Sequence, residues 1–225
     1  MVITIDGPAG SGKSTAARLL AKRLNGQLLD TGAIYRCLAL EAGRRSISTD
    51  EGARLAELAR RLDVRFEPPP GSALEPRVFL GGREVTEEIR TGEVSRDASV
   101  VSAHPEVREA LLELQRRLAR EAGGTVVAEG RDMGTVVFAD AAYKFFLVAD
   151  PKERARRRHE ELRQRGQAMS FEEVLRDQKE RDERDRSRSV SPLMPADDAV
   201  TVDSSKMTPR QVVDFVIERI AREEQ

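Results

Sequence analysis

The stretch Gly7-Pro8-Ala9-Gly10-Ser11-Gly12-Lys13-Ser14 carries two glycines, a lysine and a hydroxyl at the spacing G-x-x-x-x-G-K-[ST]. These residue types at this spacing make a cradle for phosphate. Glycines let the chain wrap with its N–H groups turned inward, the lysine reaches terminal phosphates, and the serine hydroxyl can ligate Mg2+. The apolar residues 2–5 precede the loop, and helix-like Thr15-Ala16-Ala17-Arg18-Leu19-Leu20 follows it. A strand thus delivers the loop to a helix N-terminus, whose dipole and free N–H groups favour an anion. A nucleoside triphosphate is the expected ligand, and the recipient of its phosphate is the open question.

Three further clusters bear on that question. Asp30-Thr31-Gly32-Ala33-Ile34-Tyr35-Arg36 offers a hydroxyl, a helix N-terminus, an aromatic ring and a guanidinium within a short span. That suits a second phosphate-bearing molecule. In Glu129-Gly130-Arg131-Asp132-Met133-Gly134-Thr135, glycines flank an Arg-Asp pair and are expected to permit an unusual backbone that aims both side chains into a cleft. On a helix, Arg181, Asp185 and Arg188 fall on one face. Two guanidinium forks and a carboxylate there can grip phosphate and ribose hydroxyls; the ordinary alternative is a solvated charged helix.

The elements that must position these groups alternate. Short apolar runs at residues 2–5, 27–29, 125–128, 144–148 and 199–202 have the composition of buried parallel strands. Four of them end in an acid: Asp6, Asp30, Glu129 and Asp203. The carboxyl ends of strands in an open α/β sheet face the ligand crevice, so such acids are candidates for metal-bound water and ribose, although Asp203 is better explained as a turn residue. Helices are predicted at 15–24, 33–42 with Gly43 as a C-cap, 50–62, 105–121, 151–165, 171–186 and 208–223. Ser170 and Glu173 have the spacing of a capping box, and Pro192-Leu193 is expected to end that helix. Residues 63–94 break the alternation. Val64-Arg65-Phe66, residues 77–80 and residues 83–85 read as antiparallel strands, with Gly81-Gly82 as a hairpin turn and Pro68-Pro69-Pro70-Gly71 as a loop.

The expected architecture is therefore α/β: a three-layer core with a five-stranded parallel sheet, formed by residues 1–62 and 96–225, plus a small β-rich insert at 63–95. Composition sets limits on partners. The chain of 225 residues is 34% charged and has a net charge of −1, so a general nucleic-acid footprint is absent and positive charge must act locally. No apolar stretch approaches membrane-spanning length, and no signal peptide is expected, since the sequence reads directly into a strand. The lone cysteine, Cys37, excludes an internal disulfide and suits a reducing compartment. A cytoplasmic protein without membrane or nucleic-acid partners is expected.

Taken together, these pieces resemble the bacterial cytidylate kinases, a branch of the nucleoside monophosphate kinases, over nearly the whole chain. The Gly-Arg-Asp-Met-Gly-Thr stretch at 130–135 and the Arg-Asp-x-Arg-Asp-x-x-Arg pattern at 181–188 are much more specific than the phosphate loop. The resemblance implies ATP with Mg2+ as donor, CMP or dCMP as acceptor, a monomer, a monophosphate-binding region built on the insert, and a lid near residues 151–168. It implies that Gly7, Pro8, Ala9, Gly10, Ser11, Gly12, Lys13, Ser14, Thr15 and the lid residue Arg157 hold ATP, with Ser14 on the metal. Ser99, Arg108 and Asp132 would read cytosine. Arg36, Arg131 and Arg188 would hold the acceptor phosphate, Arg181 and Asp185 the ribose, and Thr31 and Tyr35 would line the pocket. Lys13, Arg131, Arg188 and Asp132 form the implied catalytic set; Arg154 and Arg158 join Arg157 in the implied lid. Either Asp30 or Glu129 would organise the Mg2+ shell.

The chemistry agrees with the absence of a poised histidine or a nucleophile–base pair. Phosphoryl transfer needs positioning and charge neutralisation, and an acceptor phosphate oxygen is already anionic at neutral pH. A kinase of UMP, dTMP or shikimate is the nearest rival. A GTPase-type switch lacks its Asn-Lys-x-Asp motif here, and an RNA-binding module is opposed by 4% aromatic content and near-zero net charge.

Overall fold

The computed structural model of the protein describes residues 1–68, 75–164 and 166–223. Part of the expected proline loop (69–71) and Arg165 therefore lie outside the described residues. Five parallel strands, β1 (Val2–Asp6), β2 (Gln27–Asp30), β6 (Val126–Gly130), β7 (Tyr143–Val148) and β8 (Val200–Asp203), form one sheet in the order β2-β6-β1-β7-β8. Strands β3 (Val64–Glu67), β4 (Arg77–Leu80) and β5 (Arg83–Glu84) form a separate antiparallel sheet, turned at Gly81-Gly82. The helices are α1 (Lys13–Arg23), α2 (Thr31–Arg44), α3 (Gly52–Arg60), α4 (Gly92–Val101), α5 (Pro105–Ala122), α6 (Pro151–Gln164), α7 (Phe171–Arg186) and α8 (Pro209–Glu223).

The period of two along each central strand sorts side chains onto two covered faces. Ile3, Ile5, Val127, Phe145, Leu147 and Val202 pack against α1 and α8, where Ala16, Ala17 and Leu20 meet Val212, Val213 and Val216. On the opposite face Leu29, Val126 and Ala128 pack against Ile34 and Leu38 of α2 and Leu111 of α5. The small sheet contributes Val64, Val78 and Leu80 to that same cluster, followed by Val85 and Ile89. A third, minor cluster of Ala155, Leu162 and Val174 joins α6 to α7. Among the described residues no helix is long and apolar enough to cross a membrane.

Several local expectations are corrected. Gly43 does not cap α2; the helix runs on to Arg44, and Ser46 takes the left-handed conformation (φ 53°). The N–H of Ile47 reaches Ala42 O at 2.9 Å and that of Ser46 reaches Gly43 O at 3.1 Å, a Schellman closure one turn later than expected. Helix α4 was not expected at all. It opens with Thr91 Oγ1 accepting the N–H of Val94, and position 95, the expected end of the insert, lies inside it. Helix α7 stops at Arg186, before Arg188 and Pro192. Its start is as expected: Ser170 Oγ accepts the N–H of Glu173 while Glu173 Oε2 accepts that of Ser170.

Cys37 is fully buried on α2, and burial pushes its thiol up to about 12. The native protein should accordingly show no thiol titre with a disulfide reagent at pH 8, and one equivalent after unfolding in guanidinium; rapid native labelling would show the packing around α2 to be wrong.

Candidate active site

The phosphate loop hangs between β1 and α1. Gly7 (φ 147°) and Gly10 (φ 75°) both adopt backbones that L side chains rarely enter. A Cβ on Gly7 would come within 2.2 Å of Leu147 O, and one on Gly10 within 2.6 Å of Gln178 Nε2. The loop is therefore pressed against its neighbours. Arg154 Nη1 donates to Ala9 O at 3.0 Å and Gln178 Nε2 to the same oxygen at 3.3 Å. Arg154 is itself buried in an ion pair with Asp182 at 2.7 Å. Arg154 thus does not line the cleft as a lid arginine; it braces the loop from behind. Ser204 Oγ, just past β8, donates to Ser11 O at 2.7 Å and fixes the other flank. Lys13 and Ser14 are the first helical residues of α1, so the helix begins at the lysine of the loop itself.

Burial lowers the Lys13 ammonium to about 7, with Arg131 next in effect. Its Nζ donates to Pro8 O at 3.4 Å. The two strand-end acids beside it, Asp30 and Glu129, are register partners across β2 and β6. Their roles separate cleanly. Asp30 caps α2 by accepting the N–H of Ala33 at 2.9 Å, and its other oxygen accepts Arg36 Nη2 at 3.0 Å. Burial works to raise its carboxyl, but Arg36 and the Ala33 N–H outweigh it, and the net shift is downward. Glu129 Oε2 accepts Ser14 Oγ at 2.9 Å, and burial, then Asp30, raise its carboxyl. Asp6 is neither of these. Its oxygens accept the N–H groups of Met133 (2.9 Å) and Gly134 (2.8 Å), and burial raises it to about 7. The acid that ends β1 holds the turn carrying Asp132.

That turn is a π-helical one, Met133–Val137, which no sequence signal suggested. Neither flanking glycine, Gly130 or Gly134, takes a positive φ. They are required for space: a Cβ on Gly130 would lie 2.8 Å from Thr31 Oγ1, and one on Gly134 3.0 Å from Thr4 Oγ1. Thr31 Oγ1 donates to Glu129 O at 2.8 Å, tying α2 to β6.

One cleft of about 780 Å³ runs from the phosphate loop to α4 and α5. Of the residues expected in the site, Ala9 through Thr15, Thr31, Tyr35, Arg36, Arg108, Arg131, Asp132, Arg157, Arg181, Asp185 and Arg188 line it; Gly7, Pro8 and Ser99 do not. Ser99 is turned away and accepts Arg184 Nη1 at 2.6 Å. At the far end Arg108 Nη2 donates to Asp132 Oδ2 at 2.5 Å, and the same guanidinium lies 5.5 Å from the centre of the Tyr35 ring. Between the ends, Asp185 accepts Arg131 Nε at 2.9 Å and also pairs with Arg188. Burial works to raise the Asp185 carboxyl, yet Arg131, Arg188 and Arg181 pull it down. Burial, followed by Arg131, depresses the Arg181 guanidinium to about 10. Arg157 Nη2 donates to Ser204 O at 2.7 Å, and Arg158 pairs with Glu161 at 2.8 Å.

Sequence reasoning missed Ser102, the triad Arg18, Glu75 and Arg90, and the stretch 204–208, all of which line the cleft. Glu75 links α1 to the segment before α4, pairing with Arg18 at 2.6 Å and with Arg90 at 3.2 Å. The stretch 204–208 had a signal: it follows the carboxyl end of β8, where ligands bind in such sheets. Asp203 itself is an exposed turn residue that accepts the N–H of Ser205.

A phosphate loop at the carboxyl edge of a five-stranded parallel sheet, facing an arginine-lined second subsite across one cleft, defines a P-loop kinase. The sequence profile of the cytidylate kinase family matches residues 3–222. A cytidylate kinase of Actinobacillus succinogenes is 48% identical over 219 residues, spanning 95% of each chain. One from Caldanaerobacter subterraneus subsp. tengcongensis is 46% identical over 98% of this chain and 94% of its own, and one from Enterobacter sp. 49% identical over 96% and 93%. A solved structure of an uncharacterized protein from Eubacterium ventriosum aligns with TM-score 0.50 at 15% identity over 98% of both chains, a likeness of fold alone. The chain belongs to the cytidylate kinase family.

The lowered Lys13 value has a measurable consequence. At pH 8 the free lysine is mostly neutral, and a bound triphosphate raises its pKa, so binding must take up a proton in that window. Calorimetric titration of Mg-ATP in buffers of different ionisation enthalpy should give an uptake approaching one proton at pH 8, vanishing in Lys13→Arg. Equal uptake by the two proteins would exclude Lys13 as its source.

Proposed function

We propose that this cleft seats two nucleotides end to end and closes a cage of cations around the phosphoryl group that passes between them. The reaction is that of a (d)CMP kinase: ATP and CMP or dCMP give ADP and CDP or dCDP. The observation that carries this reading is the continuity of the cleft. The phosphate loop stands at one end, the buried Arg108–Asp132 pair at the other, and Arg131, Arg181 and Arg188 lie between them.

The donor's phosphates fit the loop, where backbone N–H groups, Lys13 and the α1 N-terminus offer positive potential. The stretch 204–208 and Arg157 flank the loop and would face the donor nucleoside. Ser14 and Glu129 are the groups that would hold Mg2+, Ser14 Oγ directly and Glu129 through water. Asp30 is left out because both its oxygens are engaged. No cluster of three or more acidic, histidine or cysteine ligands exists among the described residues, which suits a small hard cation that keeps phosphate and water as its main ligands. When bound, the ion neutralises charge on the donor's terminal phosphates.

At the acceptor end, Arg36, Arg131 and Arg188 would grip the monophosphate, and Asp185 and Arg181 the ribose. The acceptor oxygen needs no general base, so the protein's task is alignment, charge stabilisation and exclusion of water. The α6–α7 hairpin, held together by its own small apolar cluster and joined to the phosphate loop by polar bonds to Ala9, is the part we assign to closure. Base choice follows from donor and acceptor pattern. Cytosine presents an amino donor where uracil presents a carbonyl, and the Asp132 carboxylate accepts from the first and repels the second.

A coupled ADP assay over CMP, dCMP, UMP, dTMP and shikimate should give efficient turnover with the first two alone. Asp132→Asn should lower the CMP-to-UMP ratio of kcat/KM by about tenfold or more, the size expected for losing one charge-assisted hydrogen bond. An unchanged ratio would remove Asp132 from base recognition.

A further inference from the structure

Ser102, the residue that caps the C-terminus of α4, is the point where the two halves of the acceptor subsite meet. Its carbonyl accepts Arg108 Nη1 at 3.0 Å, and Arg108 holds Asp132. Its hydroxyl accepts Arg188 Nη2 at 2.9 Å, and Arg188 holds Asp185, which in turn holds Arg131. The hydroxyl proton has its own target, Ser99 O at 3.1 Å, so the oxygen's lone pairs are left facing the guanidinium. Ser102 is buried and lines the cleft. Both arginines it touches are more than nine-tenths buried, and the Nε of each lacks a hydrogen-bond partner. With so few bonds to hold them, each contact to Ser102 carries much of the orientation of its guanidinium.

We propose that Ser102 is a positioning residue of the acceptor subsite: it fixes the phosphate-gripping Arg188 relative to the base-reading Arg108, and so sets the span that a nucleoside monophosphate must match. This rests on the acceptor-site reading above. Ser99 does not fill the role, because its hydroxyl is engaged by Arg184 outside the cleft. Removing the Ser102 hydroxyl leaves the carbonyl contact to Arg108 intact and frees Arg188 alone. The loss therefore falls on the acceptor phosphate and not on the donor.

Steady-state kinetics of Ser102→Ala, Ser102→Cys and Ser102→Thr test this, with thermal melting to confirm folding. Ala, and Cys with its poor acceptor at similar size, should raise KM for CMP by about tenfold, the loss typical of one hydrogen bond to a charged group, while KM for ATP stays within about twofold. Thr should restore most of the loss. In an Arg188→Ala background, Ser102→Ala should add nothing, because it acts through that arginine. An unchanged KM for CMP, equal losses for both substrates, or full additivity with Arg188→Ala overturns the proposal. If Arg188→Ala alone leaves KM for CMP unaltered, the placement of the acceptor phosphate is what has failed.

Discussion

Like charges confined in a low-dielectric cleft repel, and this repulsion organises the molecule. Burial is the larger effect, but Arg131 and Arg181 both further lower the affinity of Lys13 for its proton, and Arg131 lowers that of Arg181. The chain as a whole carries a net charge of only −1, so the positive potential is made by local crowding. Carboxylates hold the crowd together. Asp185 lies between Arg131 and Arg188, Asp132 faces Arg108, and Glu75 spans Arg18 and Arg90. On the function proposed above, two polyanionic nucleotides would complete that neutralisation, and the most negative arrangement on the reaction path would benefit most.

The same constraint explains why the phosphate loop is supported on every side. A loop whose N–H groups point at an anion cannot also satisfy itself with internal hydrogen bonds, so it needs external struts. Arg154 and Gln178 supply them at Ala9, and Ser204 supplies another at Ser11. The Arg154–Asp182 pair is itself buried, and a break in it would leave a charge without compensation beside the phosphate loop. The α6 and α7 helices thus both brace the loop and carry arginines, Arg157, Arg158 and Arg181, that line the cleft.

Much of this was legible in the sequence because it is local. The loop spacing, the strand-end acids and the capping box at Ser170 are set by neighbours in the chain, and the twofold apolar pattern of the central strands gives the sheet. What escaped is set by partners distant in sequence. Helix α4 has a short apolar face and borrows its stability from α2, against which it packs. The π turn after Asp132 exists because Asp6, at the end of another strand, collects its N–H groups. The Arg-rich helices offered no means of telling Arg154, a brace, from Arg157, a cleft residue. The resemblance named Ser99, and only coordinates could put Ser102 in the cleft instead. The engagement of both Asp30 oxygens, by the Ala33 N–H and by Arg36, was likewise invisible in the sequence.

The sheet order places β1 between β6 and β7, strands that begin more than a hundred residues further along the chain. A nascent chain that has not yet delivered Tyr143 leaves the first strand with one edge bare, and Leu147 O, against which Gly7 is pressed, has not been made. The loop at residues 7–14 is therefore shaped by segments made more than a hundred residues after it, and a contact order this high links its geometry to the folding of the whole sheet.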